Sequence, residues 1–393
     1  MSAPAAAQDS QTEQPVVAAK THWRERLPAA TPALLAYALV RIVGLLVLWA
    51  FAHGAGVDFW GLLNSRFDSV WYQQIAEHGY DAAIPLKPNG AFRPTNLAFF
   101  PLYPGLLAAL TAVTPLSAPV AGLVVSWIAG IAAAWGIYAV GKEVRSHSVG
   151  VMLAVLWGLF PHAVVENMAY SETTFIALVA WSLYALLRRR WLTAGLLCAF
   201  AGLARPTANA IIAAVGLAAL VAIFRRQDGW RPWVAIALAP LGYLGYLGYV
   251  AHRLGRLDGY FYLQREAWNI RFDGGVHTAT SFGRVLTEES PFQFYTSTFL
   301  IVLAIALIAL SIWDRYPLPV LVYSVVAVLF VLGAAGAYYG KGRYFIPVFT
   351  MLLPIAIGLA GARTRTRIVV LIFLTLASAW FGAYVTLDWP VSP

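Results

Sequence analysis

In the stretch "SRFDSVWYQQIAEHGYD", residues 65–81, the first carboxylate, Asp68, stands among aromatic side chains soon after a long apolar run. A carboxylate so placed can take the proton of an attacking hydroxyl, the task of a general base. It can also simply close a helix. Ser65 followed by Asp68 fits the capping pattern S-x-x-D, in which the acid reaches back to the Ser65 amide. Spacing alone leaves both readings open. Three other polar islands invite the same question. "YSET", 170–173, offers Glu172, with Ser171 placed to cap a helix. "LARPTAN", 203–209, sets Arg205 before a proline at a helix start. "YYGKGRYF", 338–345, carries Lys341 and Arg343. A cation at the end of an apolar helix either snorkels to the interface or grips an anion, and guanidinium geometry suits a phosphate.

Other chemistries find little support. No G-x-x-x-x-G-K-[ST] loop is present, so no ATP-driven pump is expected on this chain. His162 and Glu166 lie four apart at a helix end, but two ligands make a poor metal site, and no cofactor or metal is expected. The single cysteine, Cys198, can form no internal disulfide. A net charge of +9 could suit nucleic acid. In a membrane protein, basic residues chiefly set orientation instead.

The elements that hold these islands are apolar helices. The chain is 60 % hydrophobic and 11 % charged, where a soluble protein is about a quarter charged. Fifteen Trp and nineteen Tyr suit the headgroup belts. A crossing needs roughly 20 residues, and the candidate spans, several of them short for one, are 32–52, 119–141, 148–165, 172–187, 191–204, 207–224, 232–252, 297–313, 318–338, 344–361 and 368–386. The fold expected is an all-α polytopic membrane protein of eleven spans. Residues 1–28 read as a disordered cytoplasmic tail, and 29–393 as one transmembrane domain. The glycines of "GYLGYLGYV", 242–250, predict close helix packing.

With the N-terminus inside, "GKEVRSH", "RRR" at 188–190, "RRQDGWR", "DRYP" and "RTRTR" at 363–367 all fall on the cytoplasmic side. That result requires 99–116, with its prolines, to be an interfacial helix and not a span. Two large loops, 53–118 and 253–296, then face outward with the polar islands, implying a chamber open to the outside. Phe67, Val70, Trp71 and Ile75 recur at helical spacing opposite Gln73, Gln74 and Glu77. They predict an amphipathic interfacial helix stopped at Gly79.

Taken together, "RFDSVWYQQIAEHGY", "FFPLYP", "YSE", "RP" and "GRYFIP" resemble the second mannosyltransferase of glycosylphosphatidylinositol synthesis and its bacterial relatives. This PIG-V-like family belongs to the GT-C superfamily of membrane glycosyltransferases. "YFYLQREAWNIRF", 260–272, resembles a Gln…Trp-Asn segment of the family's later outer loop. The resemblance implies a GT-C-type bundle in which the helix after Asp68 and the "FFPLYP" helix are the two juxtamembrane helices. It implies Asp68 as catalytic base and a polyprenyl-phosphate sugar, mannose first, as donor. Arg343, Lys341 and Arg205 would hold the donor phosphate. Tyr170, Glu172, Gln264, Trp268, Asn269, Tyr103 and His78 would line the pocket or meet a glycolipid or glycan acceptor. One base plus a cationic clamp is a minimal inverting site, because the leaving group is already a phosphate. The competing expectation is a non-enzymatic lipid-sugar flippase or solute transporter using the same charges to bind its cargo. A carrier with two related halves would show an internal repeat, and none is evident.

Overall fold

The structure is a computed structural model that describes residues 29–86, 88, 92–389 and 391–392. The expected tail, 1–28, lies outside the described residues. Long apolar runs cannot leave their backbone groups unsatisfied in lipid, so they close into helices. The first part of the chain forms α1 (Thr31–Gly54), α2 (Phe59–Asn64), α3 (Asp68–His78), α4 (Leu102–Val113), α5 (Ala118–Val144) and α6 (His147–Gly158). The middle forms α7 (Glu172–Leu187), α8 (Trp191–Gly202), α9 (Asn209–Phe224), α10 (Arg231–Leu238), α11 (Leu241–Leu254), α12 (Gly259–Trp268) and α13 (Val276–Thr287). The last part forms α14 (Phe292–Trp313), α15 (Leu318–Gly333), α16 (Lys341–Tyr344), α17 (Leu353–Gly361) and α18 (Thr364–Leu387). Two short strands, β1 (Arg271–Phe272) and β2 (Ala334–Ala335), pair antiparallel.

The protein is thus an all-α membrane bundle. Among the described residues, six helical stretches are long and apolar enough to cross a bilayer, and six shorter apolar helices accompany them. Five of the shorter ones fall on expected spans. The sixth is α4, the segment held out of the span count, and it has twelve residues. Two of the short helices are central: α6 and α7 pack on α5, and most of their side chains are buried. The long helices α1 and α18 pack on each other and present Leu35, Leu39, Ile42, Leu46, Ile372, Phe373 and Leu376 outward, as lipid-facing surfaces do.

Three expected elements differ in detail. The 232–252 span is divided at Pro240, which opens α11 after α10 has ended. The 318–338 span stops at Gly333, where the chain turns into β2. Of the "GYLGYLGYV" glycines, Gly242 alone makes a close approach. A Cβ there would lie 1.9 Å from the Ala199 carbonyl oxygen, whereas Gly245 and Gly248 have nothing within 4 Å.

Three of the basic loops meet at one end. Arg188 meets Glu143 at 3.2 Å and Arg189 meets Asp228 at 2.8 Å. Both contacts lie just beyond the C-terminus of α7. Glu172 opens that 16-residue helix, so it sits about 24 Å away at the other end.

Candidate active site

α3 begins at Asp68 because the chain turns abruptly before it. Phe67 adopts φ +53° and ψ −124°, a costly conformation for a bulky side chain, held where the surroundings over-determine it. The S-x-x-D cap does not form. Ser65 Oγ donates instead to Asn64 Oδ1 at 2.8 Å, and Gln73 Nε2 donates to the Asn64 carbonyl oxygen, tying α3 to α2. The Asp68 carboxylate is therefore available to another element. Its Oδ2 accepts from Arg343 Nη2 at 2.5 Å.

Arg343 is the hub. α16 is a single turn, and Gly342 brings its backbone against the His162 ring, where a Cβ would fall 2.1 Å from a ring carbon. The guanidinium then reaches in two directions. Besides Asp68, its Nε donates to Glu172 Oε1 at 2.6 Å, and Nη1 donates to Ser392 Oγ at 2.7 Å. Its face lies over the Tyr170 ring, 4.5 Å from the centroid, a cation–π contact. Glu172 Oε2 meets Arg205 Nη1 at 2.8 Å, and Arg205 Nη1 also donates to Ser171 Oγ at 3.0 Å. Ser171 stands at the start of α7 without capping it. Its hydroxyl shares a 2.6 Å hydrogen bond with Tyr72 OH of α3.

The result is a chain of alternating charges, Asp68–Arg343–Glu172–Arg205, drawn from four distant stretches. Two carboxylates and two guanidiniums balance formally. Burial alone would weaken the charged form of both arginines. The neighbouring carboxylates outweigh that and raise their pKa values, those of Arg343 most of all. Exposure is unequal along the chain. The Glu172 side chain is 1 % exposed and Arg343 6 %, but Asp68 is 25 % exposed. Asp68 is the arm that opens outward, with Oδ1 not engaged by the Arg343 bond.

The other expected site residues divide. Tyr170 and Glu172 join this centre. Tyr103 is fully buried, and its hydroxyl bonds the Gly122 carbonyl oxygen and Ser126 Oγ, each at 2.8 Å. Its ring packs on Tyr72, so it supports α3 from below. Lys341 is turned elsewhere. Its Nζ donates to the carbonyl oxygens of Val331 and Ala334 at 2.6 and 2.8 Å, closing the C-terminal end of α15. His78 ends α3 and is largely exposed, 3.9 Å from Glu77 and ten residues from Asp68. Gln264 donates to Tyr260 OH at 2.9 Å. Trp268 leans edge-on against Trp71 of α3, and Asn269 ends α12 in a left-handed conformation.

Three contributors escaped the sequence reading: Tyr72, Ser392 and the linking role of Ser171. A buried ion pair within the bundle was missed as well. Arg41 of α1 has Nε 3.7 Å from Glu166 Oε2 and donates from Nη1 to the Gly158 carbonyl oxygen, while Tyr37 OH donates to Glu166 Oε2 at 3.0 Å. Its signal was present: an arginine in the middle of the first apolar run. Glu166 is spent on that pair, and His162 packs between Phe381 and Trp389. The two do not share a ligand site. Among the described residues no group of three or more His, Cys, Asp or Glu is arranged to hold a metal.

No protein-family model and no curated protein matches the sequence. Similar solved structures come from Archaeoglobus fulgidus. One is the archaeal oligosaccharyltransferase AglB in complex with an inhibitory peptide and a dolichol-phosphate, at 13 % identity and a TM-score of 0.45 over 89 % of this chain and 55 % of that one. An oligosaccharyltransferase complex with Zn and sulfate gives 12 % identity and a TM-score of 0.48 over 91 % of this chain and 53 % of that one. The apo form gives 13 % and 0.46 over 91 % and 56 %. This chain therefore spans about half the length of the solved structures it matches. At such similarity, the chemistry of this chain has to come from its own side chains.

Proposed function

We propose that this chain is an inverting membrane glycosyltransferase of the GT-C type, moving a sugar from a polyprenyl-phosphate donor to a hydroxyl of a lipid or glycan. The observation that carries the reading is the Asp68–Arg343 contact. It joins a partly open carboxylate to a buried guanidinium at the end of the bundle away from those three basic loops. The acceptor hydroxyl attacks C1 of the donor sugar, and its proton passes to Asp68 as the bond forms. The bond from C1 to the phosphate oxygen breaks on the opposite face, and the polyprenyl phosphate leaves with the electron pair. Arg343 and Arg205 are the groups to receive the charge that grows on that phosphate. In the resting state both are neutralised by the protein's own carboxylates. A phosphate oxygen arriving at Arg343 Nη1 would replace Ser392, and one arriving at Nη2 would replace Asp68 and so free the base.

Lys341 is omitted from the clamp, since the end of α15 holds it. Glu172 keeps Arg343 and Arg205 side by side. The motif resemblance supports mannose as the sugar and a PIG-V-like relationship. The basic loops at the far end support a site on the extracytoplasmic side. The packing of α1 on α18 supports treating residues 29–393 as one domain.

The test supplies purified protein in lipid nanodiscs with radiolabelled polyprenyl-phosphate mannose and a membrane lipid extract. A new labelled product that requires Asp68 is expected. Movement of the labelled lipid between leaflets without any transfer product would instead establish the transporter reading.

A further inference from the structure

Beside the carboxylate lies a set of rings that the ion chain does not use. Trp71 sits one turn after Asp68, so both side chains rise from one face of α3. Its indole stacks on Phe99, with centroids 5.8 Å apart and planes 16° apart. It meets Trp268 edge to face at 5.4 Å, and Phe99 and Trp268 close the triangle at 5.5 Å. The rings come from α3, from the entry to α4 and from the end of α12. Two of the three are tethered by hydrogen bonds. Trp268 Nε1 donates to the Thr95 carbonyl oxygen at 3.3 Å, and the Phe99 carbonyl oxygen accepts from Tyr80 OH at 2.9 Å and from Tyr246 OH at 2.8 Å.

All three rings stay partly exposed, whereas the adjoining Tyr72 and Tyr103 are buried with their hydroxyls committed. A tryptophan that merely seats a helix among headgroups needs no such mutual packing. Polar side chains stand around the rings. Gln74 and Arg265 each lie three residues along a helix from one of the tryptophans, and both are exposed, as is Asn269.

We propose that Trp71, Phe99 and Trp268 form a platform for the apolar C–H face of a pyranose ring, holding a hexose within reach of Asp68. The proposal rests on the transferase reading above. A pyranose has C–H bonds on its faces and hydroxyls around its edge. The electron-rich aromatic face attracts the first, and the surrounding amide and guanidinium groups bond the second. An isoprenoid chain offers nothing to those polar groups. The hexose is either the sugar being transferred or one carried by the acceptor.

Saturation-transfer NMR on nanodisc-embedded protein, with methyl α-mannopyranoside as the probe, tests the platform directly. Trp71→Leu and Trp268→Leu are compared with the ring-preserving Trp71→Phe and Trp268→Phe, and thermal melting confirms that each variant is folded. Strong transfer to the ring C–H protons is expected in the parent and in Asp68→Asn. It should fall by roughly two- to tenfold in the leucine variants, the scale of one aromatic contact, and persist in the phenylalanine variants. An unchanged signal in the leucine variants overturns the proposal, as does displacement of the probe by a free polyprenol. In turnover assays the leucine variants raise KM for the donor if the platform holds the transferred sugar, and for the acceptor if it holds that partner. Because sugar binding is read without turnover, a chain that binds the probe but transfers nothing overturns the transferase reading and leaves the platform standing.

Discussion

Among the described residues, two clusters of buried ion pairs contrast in how they are closed. In the inner one, Arg41 and Glu166 are almost sealed, Tyr37 donates to Glu166, Arg41 donates to the Gly158 carbonyl oxygen, and both side chains stay inside the protein. In the outer one, the same residue types form a longer chain, and its terminal carboxylate stays a quarter exposed. A sealed pair can orient helices but cannot reach a substrate. A chain with one open arm keeps its charges fixed and still presents a proton acceptor. On the proposed reading, burial of the partner cation combined with exposure of the carboxylate is what suits this centre to chemistry. Charge count alone does not.

Substitutions should separate the two centres. The largest effect is expected for Asp68→Asn. Loss of a positioned base typically lowers rate by about 10²–10⁴-fold, while Arg343 keeps Glu172 and the melting temperature stays close to the parent's. Activity and melting measured on the same nanodisc sample check this. Glu166→Ala should do the reverse. It strands Arg41 in the bundle, a defect of about 3–5 kcal/mol, seen as a lowered melting temperature, whereas the folded fraction retains its donor KM. Loss of activity in folded Glu166→Ala protein would erase the distinction drawn here.

Arg205→Lys sharpens the account within the outer centre. An ammonium keeps the charge and can reach Glu172 and Ser171, which Arg205 meets through Nη1 alone, but it lacks the further N–H donors of the planar guanidinium that suit a phosphate. A rise in donor KM of roughly tenfold, the worth of one charge-assisted bond, is expected with kcat less affected.

The smallest effect belongs to the basic end. Burial would raise the Asp228 pKa, but the Trp191 indole and the Arg189 guanidinium lower it below the ordinary value. A depressed carboxylate stabilises the fold above its unfolded pKa and loses that contribution as pH falls through the folded one. Asp228→Asn should therefore flatten the melting temperature's decline on the acid side, below about pH 4, without touching transfer. Melting curves between neutral and acid pH report it.

Much of this architecture was legible in the sequence because hydropathy is local. Each expected span contains a helix, and the proline-bounded 99–116 segment yields only the short α4. The members of the outer chain were also visible, since Asp68, Glu172, Arg205 and Arg343 each stand out against apolar neighbours. Their partners were not. Whether the Ser65–Asp68 cap or a Ser171 cap forms depends on which other group claims each side chain: Arg343 takes Asp68, Asn64 takes Ser65, and Tyr72 and Arg205 take Ser171. Lys341 shows the same dependence. Its ammonium faces the carbonyls at the end of α15, and sequence spacing did not reveal that α15 would stop at Gly333. The glycines of 242–250 look equivalent in sequence, yet only Gly242 meets another backbone.

The most direct test of the account is a single-turnover comparison of the parent and Asp68→Asn with saturating polyprenyl-phosphate hexose. The account predicts donor binding of similar affinity in both and sugar transfer in the parent alone. Transfer at the parent rate by Asp68→Asn would contradict it.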